Sequence, residues 1–254
     1  MMNLPTPVLG EVTAITISSP DLEQSLAFYQ KLGFSEIMRM DFPFPWIQIS
    51  DGALLMMIRK DNNPYIALTY YPKDIDQSVK IAEDAGIAFT DKPKPTDMVK
   101  RYVFQSPEAL NISLVHIPDG FTQPKGPTML TMPQEDYFNP DKYVNKTCGM
   151  FGEFALPVAD LDVSIAFWGK LGFVALSRYG QPRPWAILSD GLAVIGLHQT
   201  QEFTQPAITY FAKDMKEKIE HLKTNGLTNF VEVAGAANIT LTTPEQQKFN
   251  LFSL

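Results

Sequence analysis

The sequence predicts an α+β chain of two tandem domains. Each is expected to hold two βαβββ modules that form a cupped, mixed sheet with helices on its outer face. Three observations carry this. Residues 21–52 recur at residues 160–191, 139 positions later, with 16 of 32 identical, more than shared composition produces. The match resumes with residues 67–74 on residues 207–214, 140 positions later. Within each half an Asp precedes a Gly by 12 residues twice, at Asp21 and Gly33, Asp74 and Gly86, Asp160 and Gly172, and Asp214 and Gly226.

Each module reads in the same order. Residues 12–17, Val-Thr-Ala-Ile-Thr-Ile, are rich in β-branched side chains, as a strand favours. The Asp that follows is placed to cap a helix N-terminus, its carboxylate accepting from unpaired first-turn N–H groups. Leu22, Leu26, Tyr29 and Leu32 recur at helical spacing. Gly33 then stands where the chain leaves the helix with positive φ. Strands are expected at residues 46–51 and 54–58, joined by a tight Asp51-Gly52 turn. Helices on one face leave the other face of the sheet free.

Residues 118–149 carry Pro118, Pro124, Pro127, Pro133 and Pro140, a density that suits neither a central strand nor a long helix. They are read as a linker, with room for a short extended piece near Met129 to Met132. The expected division is residues 1–117, the linker 118–149, and residues 150–254.

The chain has 21 Lys and Arg against 28 Asp and Glu, a net charge of −7. That balance argues against nucleic acid, whose binding needs clustered cations, and against an anionic membrane surface. A single cysteine, Cys148, excludes an intrachain disulfide and a Cys-based zinc site. No apolar run approaches the ~20 residues of a membrane span. The opening residues carry no basic-then-apolar leader pattern. A cytoplasmic location is therefore expected, as a monomer or a homodimer.

Residues 157–161, 164–168 and 171–173, their counterparts within 21–34, the Lys73-Asp74-Ile75 and Ser106-Pro107-Glu108 segments, and Asn111 resemble the vicinal oxygen chelate superfamily. That group contains glyoxalases, bleomycin-resistance proteins and extradiol dioxygenases. The resemblance implies a fold and leaves the function open, because one fold hosts many chemistries. It also implies where metal ligands would sit. Seven residues before the capping Asp, the first strands carry Ala14 and Glu153, and the later strands carry Ala67 and Ala207. Three residues beyond Asn111 and Asn250 stand Leu114 and Ser253. Only Glu153 in this set is an ordinary metal ligand, and a catalytic divalent site needs about three. Metal-dependent glyoxalase or extradiol dioxygenase activity is not expected, nor any cofactor.

Strand alternation places Ala14, Thr16 and Ser18 in the first cup, with Ala67, Thr69 and Tyr71, and Leu114 with His116. Glu153, Ala155, Thr209 and Phe211 face the second. Small side chains at ligand positions enlarge an apolar cavity suited to an organic molecule. Glu153 reads as an acid, base or anchoring carboxylate in the cup, or as a solvated strand-end residue paired with Arg178 or Arg183. Trp46 and Trp185 share one repeat position and either stack on a flat ligand or pack the fold. Arg39 and Arg178 are a second matched pair, suited to a carboxylate contact. Gln48 and Ile187 are equivalent and differ, as do Phe44 and Arg183. His116 is a candidate base, while His198 and His221 read as surface or strand-end residues. The ligand-binding candidates are thus Trp46, Gln48, Tyr71, His116, Glu153, Trp185 and Phe211.

The leading expectation is a metal-free protein that binds a small apolar or aromatic molecule in one or both cups. The alternative is an enzyme of the lyase, isomerase or dioxygenase class with an atypical site around Glu153. An interaction module without a small-molecule site is the third.

Overall fold

A computed structural model describes residues 4–233 and 237–254. Residues 1–3, part of the segment read for a leader, lie outside the described residues. The first half runs β1 (Val12–Ser19), α1 (Leu22–Lys31), β2 (Ser35–Met40), β3 (Trp46–Ser50), β4 (Leu55–Lys60), β5 (Ile66–Tyr71), α2 (Ile75–Asp84), β6 (Arg101–Gln105) and β7 (Asn111–Val115). The second runs β8 (Met150–Pro157), α3 (Leu161–Lys170), β9 (Val174–Tyr179), β10 (Trp185–Ser189), β11 (Val194–His198), β12 (Ala207–Ala212), α4 (Met215–Thr224), β13 (Phe230–Glu232), β14 (Ile239–Thr242) and β15 (Lys248–Ser253). The α+β fold with mixed sheets and flanking helices is as expected. Modules one, three and four are complete. Module two departs from the βαβββ expectation, because its place for a third strand holds only an Asp91–Val103 bridge. Pro93 and Pro95 follow that bridge, and proline removes the ladder donor.

The strand orders are β2-β3-β4-β1-β5-β7-β6 and β13-β14-β15-β12-β8-β11-β10-β9. In each sheet two modules meet through their first strands, β1 with β5 and β8 with β12, both antiparallel. Each first strand then pairs in parallel with its own module's last strand.

The helix punctuation follows the sequence at three of four sites. Asp21 Oδ1 accepts from the N–H groups of Glu23 and Gln24 at 3.1 and 3.0 Å. Asp160 does the same for Asp162 and Val163, and Asp74 accepts from Gln77. Asp214 makes no side-chain cap; its carboxylate pairs instead with Lys218 at 3.2 Å. Gly33, Gly86, Gly172 and Gly226 all have positive φ between 78° and 87°, the conformation a Cβ disfavours.

Residues between β7 and β8 form turns and two short 3-10 segments, Gln134–Asp136 and Pro140–Lys142. Residues 129–132 are a turn rather than an extended piece: the Thr128 carbonyl accepts from the N–H groups of Thr131 and Met132. Their one sheet-like contact is the Met129 N–H donating to the Phe151 carbonyl at 2.8 Å.

One buried cluster runs through both halves, joining Tyr29, Phe34 and Tyr70 to Tyr210 and Phe249. The repeated Ser-Asp-Gly turns tie across it. Tyr70 donates to Asp190 Oδ2 at 2.5 Å, and its counterpart Tyr210 donates to Asp51 Oδ2 at 2.6 Å. Each aspartate's other oxygen accepts two N–H groups of its own turn. A second tie joins α1 to the last turn of the chain, through Ser25 and Tyr29 on Glu245. Burial of polar groups on this scale requires such pairing, since each unpaired group costs about 1–3 kcal/mol.

Candidate functional site

Alternation along the strands separates two faces in each sheet. Ile15 and Ile17 of β1, and Ile47 and Ile49 of β3, enter the core on the helix side. Thr16, Trp46, Met57, Thr69 and Tyr71 turn to the other face, where they line a cavity of about 930 Å³. The second sheet carries a cavity of about 1070 Å³ on the equivalent face, lined among others by Glu153, Trp185, His198, Thr209 and Phe211.

The expectation for the last strands needs correction. Leu114 lies in the helix-side core with no exposed surface, and Ser253 shares the face of core residue Leu251. Neither points at a cavity. The cause is a turn register: Ala109 and Gln246 both have positive φ, 61° and 66°, and mark equivalent positions. Asn111 therefore matches Lys248, and both face Ala67 and Ala207 across the parallel ladders. The cavity-side residues one step along are Ser113 and Asn250. Ser113 with Ala14 and Ala67 offers no divalent site. Asn250 with Glu153 and Ala207 adds one neutral oxygen to one carboxylate. Among the described residues, no group of three or more His, Cys, Asp or Glu is placed to hold a metal. The donor set does not fit a catalytic divalent ion.

Among the described residues, Glu153 is the one carboxylate seated on a cavity floor. It is 6% exposed, so it is not a solvated strand-end residue. Its partner is neither arginine: Arg178 pairs with Asp162 at 2.7 Å and Arg183 with Glu202 at 2.8 Å. Instead, Glu153 Oε1 lies 2.8 Å from His198 Nε2. β11 itself makes room two residues before His198. A Cβ on Gly196 would stand 1.9 Å from Glu153 Oε2 and 2.9 Å from His198 Nε2, so only glycine admits the pair.

The imidazole is held from the other side by an aromatic column. Trp185 stacks on His198 with centroids 5.8 Å apart and planes 7° apart, and Tyr179 stacks on Trp185 at 4.2 Å. Phe203 meets the same imidazole edge-on at 5.6 Å. Asn250 donates from Nδ2 to Thr209 at 3.3 Å and accepts from Thr240 at 2.8 Å on Oδ1. Phe211 lies over Gly152 and packs edge-on against Phe252.

The seven binding candidates thus divide. Glu153, Trp185 and Phe211 share the second cavity. Trp46, Tyr71 and His116 line the first, with His116 exposed at its edge. Gln48 lines neither; it is 1% exposed beneath the first, its Nε2 buried without a partner among the described residues. His198 was read as a strand-end residue, and its place at the end of β11 agrees, yet it is the group that completes the Glu153 site. The signal lay in the repeat. Carried past Gly52, the 139-residue offset sets Ala14 against Glu153, Met57 against Gly196 and Arg59 against His198.

Arg39 and Arg178, by contrast, are structural. Each pairs with the carboxylate in its own module's first helical turn, Glu23 and Asp162.

No family model and no curated protein matches the chain. Solved structures do. The 2,3-dioxygenase LapB from Pseudomonas sp. KL28 is similar over 98% of this chain and 93% of its own, with a TM-score of 0.59 and 16% identity. Homoprotocatechuate 2,3-dioxygenase from Arthrobacter globiformis is similar over 100% and 82%, with a TM-score of 0.63 and 12% identity. The 2,2',3-trihydroxybiphenyl 1,2-dioxygenase from Sphingomonas wittichii RW1 covers 97% and 91%, with a TM-score of 0.55 and 14% identity. At such identities the likeness concerns the fold alone: the chain shares with these structures an α+β fold of mixed sheets with flanking helices.

Proposed function

We propose that the chain is an enzyme of the isomerase or lyase type, moving a proton on a small apolar or aromatic molecule held in the second cavity without a metal. The observation that carries this reading is the buried Glu153–His198 pair at 2.8 Å on the floor of a largely apolar cavity. A carboxylate and an imidazole in contact can pass a proton between them. They can take a proton from carbon beside a substrate carbonyl and return it elsewhere, as general acid–base catalysis requires. In such a step the C–H bond breaks with its proton passing to the pair. The carbonyl oxygen receives a proton from an N–H of the imidazole ring, and the resulting enol is reprotonated in reverse. Tyr179, at the exposed end of the column, supplies a flat face for an aromatic substrate, and Asn250 and Thr209 supply polar contacts.

The test is hydrogen–deuterium exchange by NMR in D₂O, with a panel of aryl ketones and hydroxyketones bearing exchangeable α-hydrogens. Wild type should accelerate exchange on at least one member, and Glu153→Gln should lower that rate by about 100-fold or more with circular dichroism unchanged. Exchange indifferent to Glu153→Gln, or oxygen uptake with a catechol, would overturn the reading. A second reading, a metal-free binding protein, rests on the volume and apolar walls of the same cavity. Tight binding of a panel member without exchange would favour it.

The same proposal places the protein in the cytoplasm as a monomer or homodimer. Residues 1–117 and 150–254 act as its domains and 118–149 as their connection. Among the described residues, no helix is long and apolar enough to cross a membrane.

A further inference from the structure

The first cavity differs from the second in floor, mouth and charge. Its floor has hydroxyls paired with each other, Thr16 with Thr69 and Tyr65 with Ser113, each at 2.8 Å. It has no counterpart of the Glu153–His198 pair. At the position of His198 stands Arg59, whose guanidinium lies 4.3 Å over the Tyr65 ring and bonds Asp61 through one terminal nitrogen. Its Nε is buried with no hydrogen-bond partner among the described residues. A buried guanidinium nitrogen left unpaired is costly, and an acceptor brought by a ligand would satisfy it.

The mouth is apolar where the second is polar. Phe42 is 64% exposed and Met98 70%, with Met40 and Phe44 beside them. Phe44 occupies the position of Arg183, which is ion-paired. Large apolar side chains from two separate segments, gathered on one opening, mark a binding surface. The charged lining differs as well. Of the four cations there, Lys92, Lys100 and Arg101 pair with Glu83, Asp76 and Asp91, whereas Arg59 uses one terminal nitrogen on Asp61 and keeps its Nε unpaired among the described residues.

We infer that the first cavity is a second, non-catalytic binding site for an anionic amphiphile, with an apolar aromatic or aliphatic body and one carboxylate or sulfonate head. The body lies between the mouth residues and Trp46, and the head accepts from Arg59. This site is independent of the chemistry assigned to the second cavity.

Two probes that share one body separate the parts: 8-anilinonaphthalene-1-sulfonate, and N-phenyl-1-naphthylamine, which lacks the sulfonate. Titrated by fluorescence into the full chain at neutral pH, the sulfonate should bind at least tenfold tighter than the amine. Arg59→Met should erase that preference, with the folded state checked by circular dichroism. Should Arg59→Met not fold, Met98→Glu, an exposed change, should weaken both probes several-fold. No saturable binding, equal affinity for the two probes, or a preference unchanged in Arg59→Met would overturn the assignment. Binding lost on Trp185→Ala but unaffected by Met98→Glu would place the probes in the second cavity and overturn it as well.

Discussion

The two cavities stand on the same face of equivalent sheets, yet three matched positions give them different chemistry. Where the first half has Ala14, Met57 and Arg59, the second has Glu153, Gly196 and His198. In the first, the Met57 side chain fills the floor and its sulfur lies 3.2 Å from the Tyr71 hydroxyl. In the second, glycine leaves that volume empty and a carboxylate occupies it. Duplication thus separated the requirements of the fold from those of the site. Capping aspartates, turn glycines and the first-turn Arg pairs are common to both halves, whereas the cavity floors diverged.

The sharpest way to break this contrast is to exchange the floors. Gly196→Met places a side chain on atoms 1.9 and 2.9 Å from its Cβ. It should expel Glu153 from His198 and cost about 3 kcal/mol or more by overpacking and loss of the pair. Thermal unfolding and the exchange assay would show both losses; a variant as stable and active as wild type would refute the packing argument. The reverse change, Met57→Gly, leaves a hole under Tyr71 and Trp46 and a flexible residue within β4. It should cost about 2–5 kcal/mol, read as a lower midpoint in urea.

Smaller effects are expected at the matched ties between the halves. Tyr70→Phe removes the only side-chain donor on Asp190 Oδ2 among the described residues and should cost about 2 kcal/mol. Tyr210→Phe should cost less, about 1 kcal/mol, because Asp51 Oδ2 also accepts from Asn145 at 3.0 Å. Equal losses would mean the two ties are not distinguished by that extra donor. Burial raises the Asp190 carboxyl above its ordinary value, and the Tyr70 hydrogen bond opposes that rise by favouring the ion. The Tyr70→Phe penalty should therefore be least below pH 3.8, where the carboxyl is protonated in both states. It should grow as pH rises through the folded value.

The least expected effect lies at alkaline pH. Burial holds the Tyr29, Tyr70 and Tyr210 phenols well above their ordinary value near 10. A raised folded value means the stabilisation is full below pH 10 and is lost as pH rises beyond it, since the unfolded chain ionises first. Phenolate absorbance from these residues should appear together with loss of circular dichroism above pH 10. Ionisation before unfolding would contradict the burial of the ties.

Local signals carried most of the architecture. Asp21, Asp74 and Asp160 cap helices because a carboxylate two or three residues before free N–H groups needs no distant partner. Gly33 and its three counterparts take positive φ for an equally local reason. The Asp214 site departs because Lys218, one helical turn on, competes for its carboxylate. Pairing across the fold was less accessible. Leu114 was misplaced because a strand's facing depends on the turn that starts it, and Ala109 conceals its positive φ behind an ordinary residue type. His198 joins Glu153 across 45 residues, through the parallel register that sets β11 beside β8.

Sequence alone determined the duplication, the order of strand and helix in each module, and the poverty of metal ligands on the cavity faces. These follow from periodicity, caps and residue type, which act over a few neighbours. Only the tertiary structure decided that Tyr70 and Tyr210 bond the opposite half's aspartates, and that a glycine lets a glutamate reach a histidine. It also decided that, among the described residues, the Nε of Arg59 is left without an acceptor in the other cavity. Those contacts depend on sheet register and on which side chain fills a shared volume, and both arise only when distant strands are laid side by side.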